Sequence, residues 1–120
     1  MSTEEEIINI CRTIAVVGLS PDPSRPSHGV ARYLQRHGFR IIPVNPNVEE
    51  ILGEKCYPDL ASIPEKVDAV DVFRRSEEVP PIVEDAIKIK AKAVWLQEGV
   101  VSEKAARRAK ESGLLFVMDR

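Results

Sequence analysis

At 120 residues the chain has length for one hydrophobic core and not for two domains, so residues 1–120 are read as a single unit. A net charge of −2 with mixed signs supplies no basic field for duplex DNA or RNA, and the longest uncharged apolar runs fall far short of the roughly 20 residues that cross a bilayer. The acidic start Glu4-Glu5-Glu6 is unlike a signal peptide, and Cys11 and Cys56 have no C-x-x-C spacing, so the expectation is a cytoplasmic protein with two reduced thiols and neither disulfide nor metal.

Thr3 and Glu6 have capping-box spacing for a first helix whose apolar face is Ile7, Ile8, Ile10 and Cys11. Thr13–Val17 is a buried strand that stops at Gly18 and opens into a polar, proline-rich loop. Ser27 is the expected N-cap of a helix through His37, with Gly38 just past its end. Phe39–Val44 forms strand 2, and Pro43, lacking an N–H, is expected at its end or at a bulge.

After the turn Asn45-Pro46-Asn47, residues 48–52 read as a helical turn and Gly53–Tyr57 as a short extended piece. Val67–Phe73 alternates apolar and acidic residues, as a strand with one less deeply buried face does. Ser76 is the expected N-cap of a helix that takes Glu77, Glu78, Pro80 and Pro81 in its first turns, where proline costs no hydrogen bond. Ala93–Gln97 is strand 4, Ser102–Ser112 a helix ended by Gly113, and Leu114–Met118 strand 5. Alternating strands and helices with short connections predict an α/β fold, a Rossmann-type three-layer α/β/α sandwich on a five-stranded parallel sheet. The expected order is 3-2-1-4-5, with a ligand beyond the carboxyl ends near the reversal between strands 1 and 4.

That topology gathers four segments at one rim: Gly18–His28, Asn45-Pro46, Phe73-Arg74-Arg75 and Gln97-Glu98-Gly99. Any one of them is explained by the need for strands to end in soluble residues; four together, with Gly18 among them, point to a nucleotide site. Ser20, Ser24 and Arg25 lie where a pyrophosphate would meet a helix N-terminus, although Pro21, Pro23 and Pro26 would stiffen the same loop without a ligand. A G-x-G-x-x-G fingerprint is absent, and Asn45 stands where an NAD site places an acid, which favours a phosphorylated ribose over NAD. His28 is either a phosphate contact or a solvent-exposed residue, and Trp95 reads as core. No nucleophile stands beside a histidine, and neither G-x-S-x-G nor G-x-x-x-x-G-K-[ST] occurs, so the rim reads as a binding site without catalytic machinery.

The stretches Ile14–Pro21, Arg25–His28, Ile42–Pro46, Gly53–Pro58, Asp71–Arg75 and Val94–Gln97 run over nearly the whole chain. Together they resemble the small single-domain CoA-binding proteins, which are similar to the N-terminal CoA-binding domain of the succinyl-CoA synthetase α subunit. The resemblance implies CoA or acyl-CoA as ligand. It places Gly18, Leu19, Ser20 and Arg25 at the CoA phosphates with Ser24 and His28 in the same loop, and Asn45 and Pro46 by the adenosine. Val72, Phe73, Arg74 and Gln97 line the pantetheine path. The synthetase's phosphohistidine belongs to a second domain without counterpart here, so its ligase activity does not carry over. Relatives tend to continue past Met118-Asp119-Arg120, which leaves a C-terminal contribution to the site open.

The expected function is therefore that of a sensor, carrier or accessory subunit, with a second copy of the chain or an acyl-CoA enzyme as partner. The rivals are the CoA-site subunit of a multi-chain acyl-CoA synthetase and an NAD(H)-binding redox-sensing domain.

Overall fold

The computed structural model describes residues 1–120. In chain order the elements are α1 (Thr3–Ile10), β1 (Thr13–Val17), α2 (Pro26–Arg36), β2 (Arg40–Val44), β3 (Glu50–Ile51), β4 (Glu54–Lys55), β5 (Ala69–Val72), α3 (Val79–Lys88), β6 (Ala93–Leu96), α4 (Glu103–Glu111) and β7 (Leu115–Val117). The capping box of α1 is Ser2 with Glu5, one residue earlier than the spacing of Thr3 and Glu6 suggested, and the N-cap of α3 is Glu78 and not Ser76, which lies in a 3-10 turn before it and accepts from the Val101 N–H. Gly38 and Gly113 end α2 and α4 at φ of +88° and +81°, the left-handed backbone that follows many helices.

Five strands form one parallel sheet in the order β2-β1-β5-β6-β7. Counting only these five, the order is 2-1-3-4-5, which corrects the expected 3-2-1-4-5. The outer edge of β2 is covered by its own connector, where the Tyr57 N–H donates to the Pro43 carbonyl at 3.0 Å and the Asn45 N–H to the Tyr57 carbonyl at 2.9 Å. Pro43 stands inside β2, opposite Val16, and its outward carbonyl shows that its missing N–H also falls on the outer side. There it costs the β1 pairing nothing and offers no donor to a further strand. The third long strand, β5, accordingly joins the other edge of β1, and the topological switch point falls between β1 and β5.

The helical turn expected at residues 48–52 is instead half of the hairpin β3–β4. Leu52 and Gly53, at φ of +55° and +77°, give the two positive-φ corners of a primed two-residue turn.

Side chains alternate across β1. Ala15 and Val17 pack with Val79, Val83, Ala105 and Ala109 under α3 and α4, while Ile14 and Val16 pack with Ile7 and Ala31 under α1 and α2. At the amino-terminal end of the sheet, the Asp68 carboxylate accepts from the backbone N–H groups of Arg12 (2.9 Å) and Thr13 (3.1 Å) and pairs with Lys92. Burial alone would raise its pKa, but those donors and the Lys92 charge hold it below the ordinary value. The face expected to be less deeply buried is closed as well: every residue of β5 is buried, Asp71 included. No helix is long and apolar enough to cross a membrane.

Candidate functional site

β1 ends against a glycine for a steric reason. Gly18 has φ of +87°, its N–H donates to the Val44 carbonyl at 2.9 Å, and a Cβ built there would lie 2.2 Å from the Phe73 carbonyl oxygen. The missing side chain lets the chain leaving β1 touch the chain leaving β5, whose Phe73 N–H donates to Val17 at 2.8 Å. The missing side chain thus makes room for protein backbone.

The loop that follows is held by its own polar groups. Ser27 Oγ accepts from the Ser20 N–H at 3.0 Å, Ser20 Oγ from the Asp22 N–H at 3.1 Å, and Asp22 Oδ1 from both the N–H (2.9 Å) and the hydroxyl (2.8 Å) of Ser24. These Ser24 bonds, the backbone one foremost, hold the Asp22 carboxyl below its ordinary pKa. His28 Nδ1 lies 3.0 Å from the Ser20 carbonyl, which can only accept, so the proton of this bond is on Nδ1. The result is an α2 N-terminus with Arg25 as N-cap, Pro26 at the first helical position and no side-chain cap. Ser27, the expected cap, is already inside the helix.

Between this N-terminus and the ends of β5 and β6 lies a cleft of about 1190 Å³. It brings together Gly18, Ser20, Arg25, Phe73, Arg74 and Gln97, six of the residues singled out from the sequence. The others are placed differently. Leu19 and Val72 are fully buried and line neither cleft at the rim. Ser24 and His28 are engaged within the loop as described. The Asn45 amide ties two turns together, donating from Nδ2 to the Leu19 carbonyl (3.0 Å) while Oδ1 accepts from the Asn47 N–H (2.9 Å), so its identity is explained without a ribose phosphate. Pro46 lines a neighbouring cleft of about 560 Å³, reached past Arg74 and walled by Val17, Val44, Leu60 and Ile82.

The main cleft is electropositive, with Arg25, Arg74, Arg75 and Arg120 against Glu78 and Glu98. Arg75 is 3.6 Å from both Glu77 and Glu78, and Arg120 is 3.2 Å from Glu4 on α1. Arg25 and Arg74 have no carboxylate within ion-pairing distance, so both guanidinium groups keep their paired donors available beside the uncapped helix end. That combination suits a phosphate or pyrophosphate. Cys11 and Cys56 are free and buried away from the cleft, and burial raises both thiol pKa values.

Sequence reasoning passed over the residues beneath the rim. Asp71 is 5% exposed, and its carboxylate accepts from Gln97 Nε2. Burial pushes its pKa up to about 7, which the bonds from Gln97 and the Val72 backbone oppose only in part. Beside it the Trp95 indole N–H is buried with no partner. A carboxylate inside a central parallel strand, where both faces are covered and apolar residues are the rule, was the available signal.

The CoA binding domain family matches residues 12–120. The chain belongs to that family. Among its relatives, the uncharacterized protein YneT of Bacillus subtilis is 44% identical over 115 residues, covering 96% of this chain and 85% of that protein. Acetate–CoA ligase [ADP-forming] II of Archaeoglobus fulgidus is 30% identical over 100 residues, which is 82% of this chain and only 15% of the ligase. The CoA-binding domain described here is thus homologous to a small part of a much larger enzyme. Among solved structures, a hypothetical protein from Pyrococcus horikoshii superposes with a TM-score of 0.94 at 42% identity, covering all of this chain and 86% of that one. The dinucleotide-forming acetyl-coenzyme A synthetase 1 of Ca. Korarchaeum cryptofilum, in complex with phosphate and ADP, gives 0.83 at 28% identity over 98% of this chain and 28% of the synthetase. The Rossmann-like CoA-binding fold and the resemblance stated from the sequence both hold.

Proposed function

We propose that the protein binds CoA or an acyl-CoA at the carboxyl rim between β1 and β5 and performs no chemistry of its own, acting as a sensor, carrier or accessory subunit in the cytoplasm. The observation that carries this reading is the pair of unengaged guanidinium groups, Arg25 and Arg74, beside the uncapped N-terminus of α2 in a family of CoA-binding domains. The CoA phosphates would sit there, with Arg74 between two clefts. The smaller cleft, apolar at Val17, Val44, Pro46 and Leu60 with Asp59, Glu77 and Asp85 around it, suits a flat base bearing an amino group. The pantetheine arm would run past Phe73 to Gln97. Buried free cysteines suit a reducing compartment.

The ligand is tested by titration calorimetry with CoA and with NAD. CoA is expected to bind one to one and NAD far more weakly; comparable affinities would remove the preference for CoA and favour the redox-sensing alternative. A second reading, that the chain supplies the CoA site to a partner carrying the reactive residues, is favoured by its homology to a portion of acetate–CoA ligase. Partner-dependent turnover of acyl-CoA after pull-down from the source cells would support this reading over a lone binding role.

A further inference from the structure

A separate pocket of about 250 Å³ opens between α1 and α2 over the middle of the sheet. Ile7, Cys11, Ile14, Leu34, Phe39 and Ala69 make most of its apolar lining, and none of them takes part in the site described above. The pocket adjoins the electropositive cleft, with Val30, Gln97 and Arg120 lining both. A ligand anchored by phosphates in the cleft and extended toward Gln97 therefore arrives at an apolar opening.

Besides Gln97 and Arg120, which it shares with the cleft, the lining includes two residues that carry a buried polar group. The Trp95 indole N–H is buried without an acceptor, which costs free energy unless something supplies one. The Asp71 carboxyl, 5% exposed and bonded to Gln97, carries a proton through much of the range below pH 7 and is then also a donor. An apolar chain bearing a carbonyl oxygen satisfies such a pocket; a bare thiol, a weak acceptor, leaves Trp95 unsatisfied. Since roughly 150 Å³ is enough to hold benzene, the volume suits a chain of about four to six carbons and not a fatty acyl tail.

We infer that this pocket receives the acyl group of a short-chain acyl-CoA, with the thioester carbonyl accepting from Trp95 Nε1 and the chain lying against Leu34, Ile14 and Ala69. The inference rests on the CoA reading of the cleft and names which form of the ligand the protein selects.

The test is calorimetric titration of the 120-residue chain with CoA, butyryl-CoA and palmitoyl-CoA, alongside the emission of Trp95, the only tryptophan. Burial of apolar carbon corresponds to about fourfold in affinity per methylene, so butyryl-CoA is expected to bind at least roughly tenfold more tightly than CoA. Palmitoyl-CoA should fall below butyryl-CoA, and Trp95 emission should shift with butyryl-CoA and not with CoA. In Leu34→Phe, which fills the pocket, and in Trp95→Phe, which removes the donor, CoA affinity should stay while the butyryl advantage shrinks. Equal affinities for CoA and butyryl-CoA with unchanged Trp95 emission would overturn the acyl pocket and leave CoA binding intact, a result the wild-type chain delivers even if a variant fails to fold. Palmitoyl-CoA binding as tightly as butyryl-CoA would overturn the short-chain selectivity. Failure of all three ligands to bind would instead overturn the CoA reading on which the inference stands.

Discussion

Replacing Gly18 by alanine separates two roles that one glycine could play at this rim. Its backbone is at φ of +87°, which costs a residue with a Cβ about 1–2 kcal/mol. The added Cβ would lie 2.2 Å from the Phe73 carbonyl oxygen, against backbone of a neighbouring strand end that cannot rotate away as a side chain could. Forcing β1 and β5 apart at their ends should add about 1–3 kcal/mol, typical of overpacking. The total is about 2–5 kcal/mol, or a drop in Tm on the order of 8–20 °C for a domain of this size. Gly38→Ala is the control: Gly38 has φ of +88° with nothing within 4 Å of the added Cβ, so it isolates the backbone cost. Thermal unfolding with and without CoA gives both readouts. If Gly18→Ala melts with Gly38→Ala, the argument from close approach of the two strand ends is refuted. If it keeps wild-type stability and loses only CoA binding, Gly18 faces the ligand after all.

Arg25→Ala and Arg74→Ala should each weaken CoA binding by about 1.5–3 kcal/mol, as expected for a hydrogen bond to a charged group, with Tm in the absence of ligand nearly unchanged; wild-type affinity in both, measured by calorimetry, would move the phosphates elsewhere. Asp71 has a folded pKa of about 7 against an ordinary 3.8, so between these values the folded state keeps a proton that the unfolded state has released. Its contribution to stability should therefore fall as pH rises from about 4 to about 7 and level off above, and Asp71→Asn should flatten that dependence in urea titrations from pH 4 to pH 8. A slope unchanged by the substitution would show that Asp71 ionises normally. Incubation with CoA or acetyl-CoA, nucleotide and magnesium should give no product above background by mass spectrometry, and turnover lost in His28→Ala or Glu98→Gln would make that residue catalytic.

Local signals along the chain were enough for the parallel α/β architecture. Five apolar strands, three of them followed by a turn and a helix start, leave little else for a domain of this length to form. They also pointed to the rim, because Gly18, Arg25, Phe73, Arg74 and Gln97 all follow a strand and parallel strands end on one side. Which strand lies beside which was not a local matter. β5 pairs with β1 because the Tyr57 segment and Pro43 close the far edge of β2, a competition between segments distant in sequence. For the same reason the roles of Gly18 and Asn45 became readable only in three dimensions: one is explained by a carbonyl 55 residues away, the other by a carbonyl on a different turn. The pocket beneath the rim was hidden most completely. Trp95 reads as core and Asp71 as part of a less deeply buried strand face, and periodicity reports which face a side chain takes, not whether the two helices laid over that face meet or leave a gap between them.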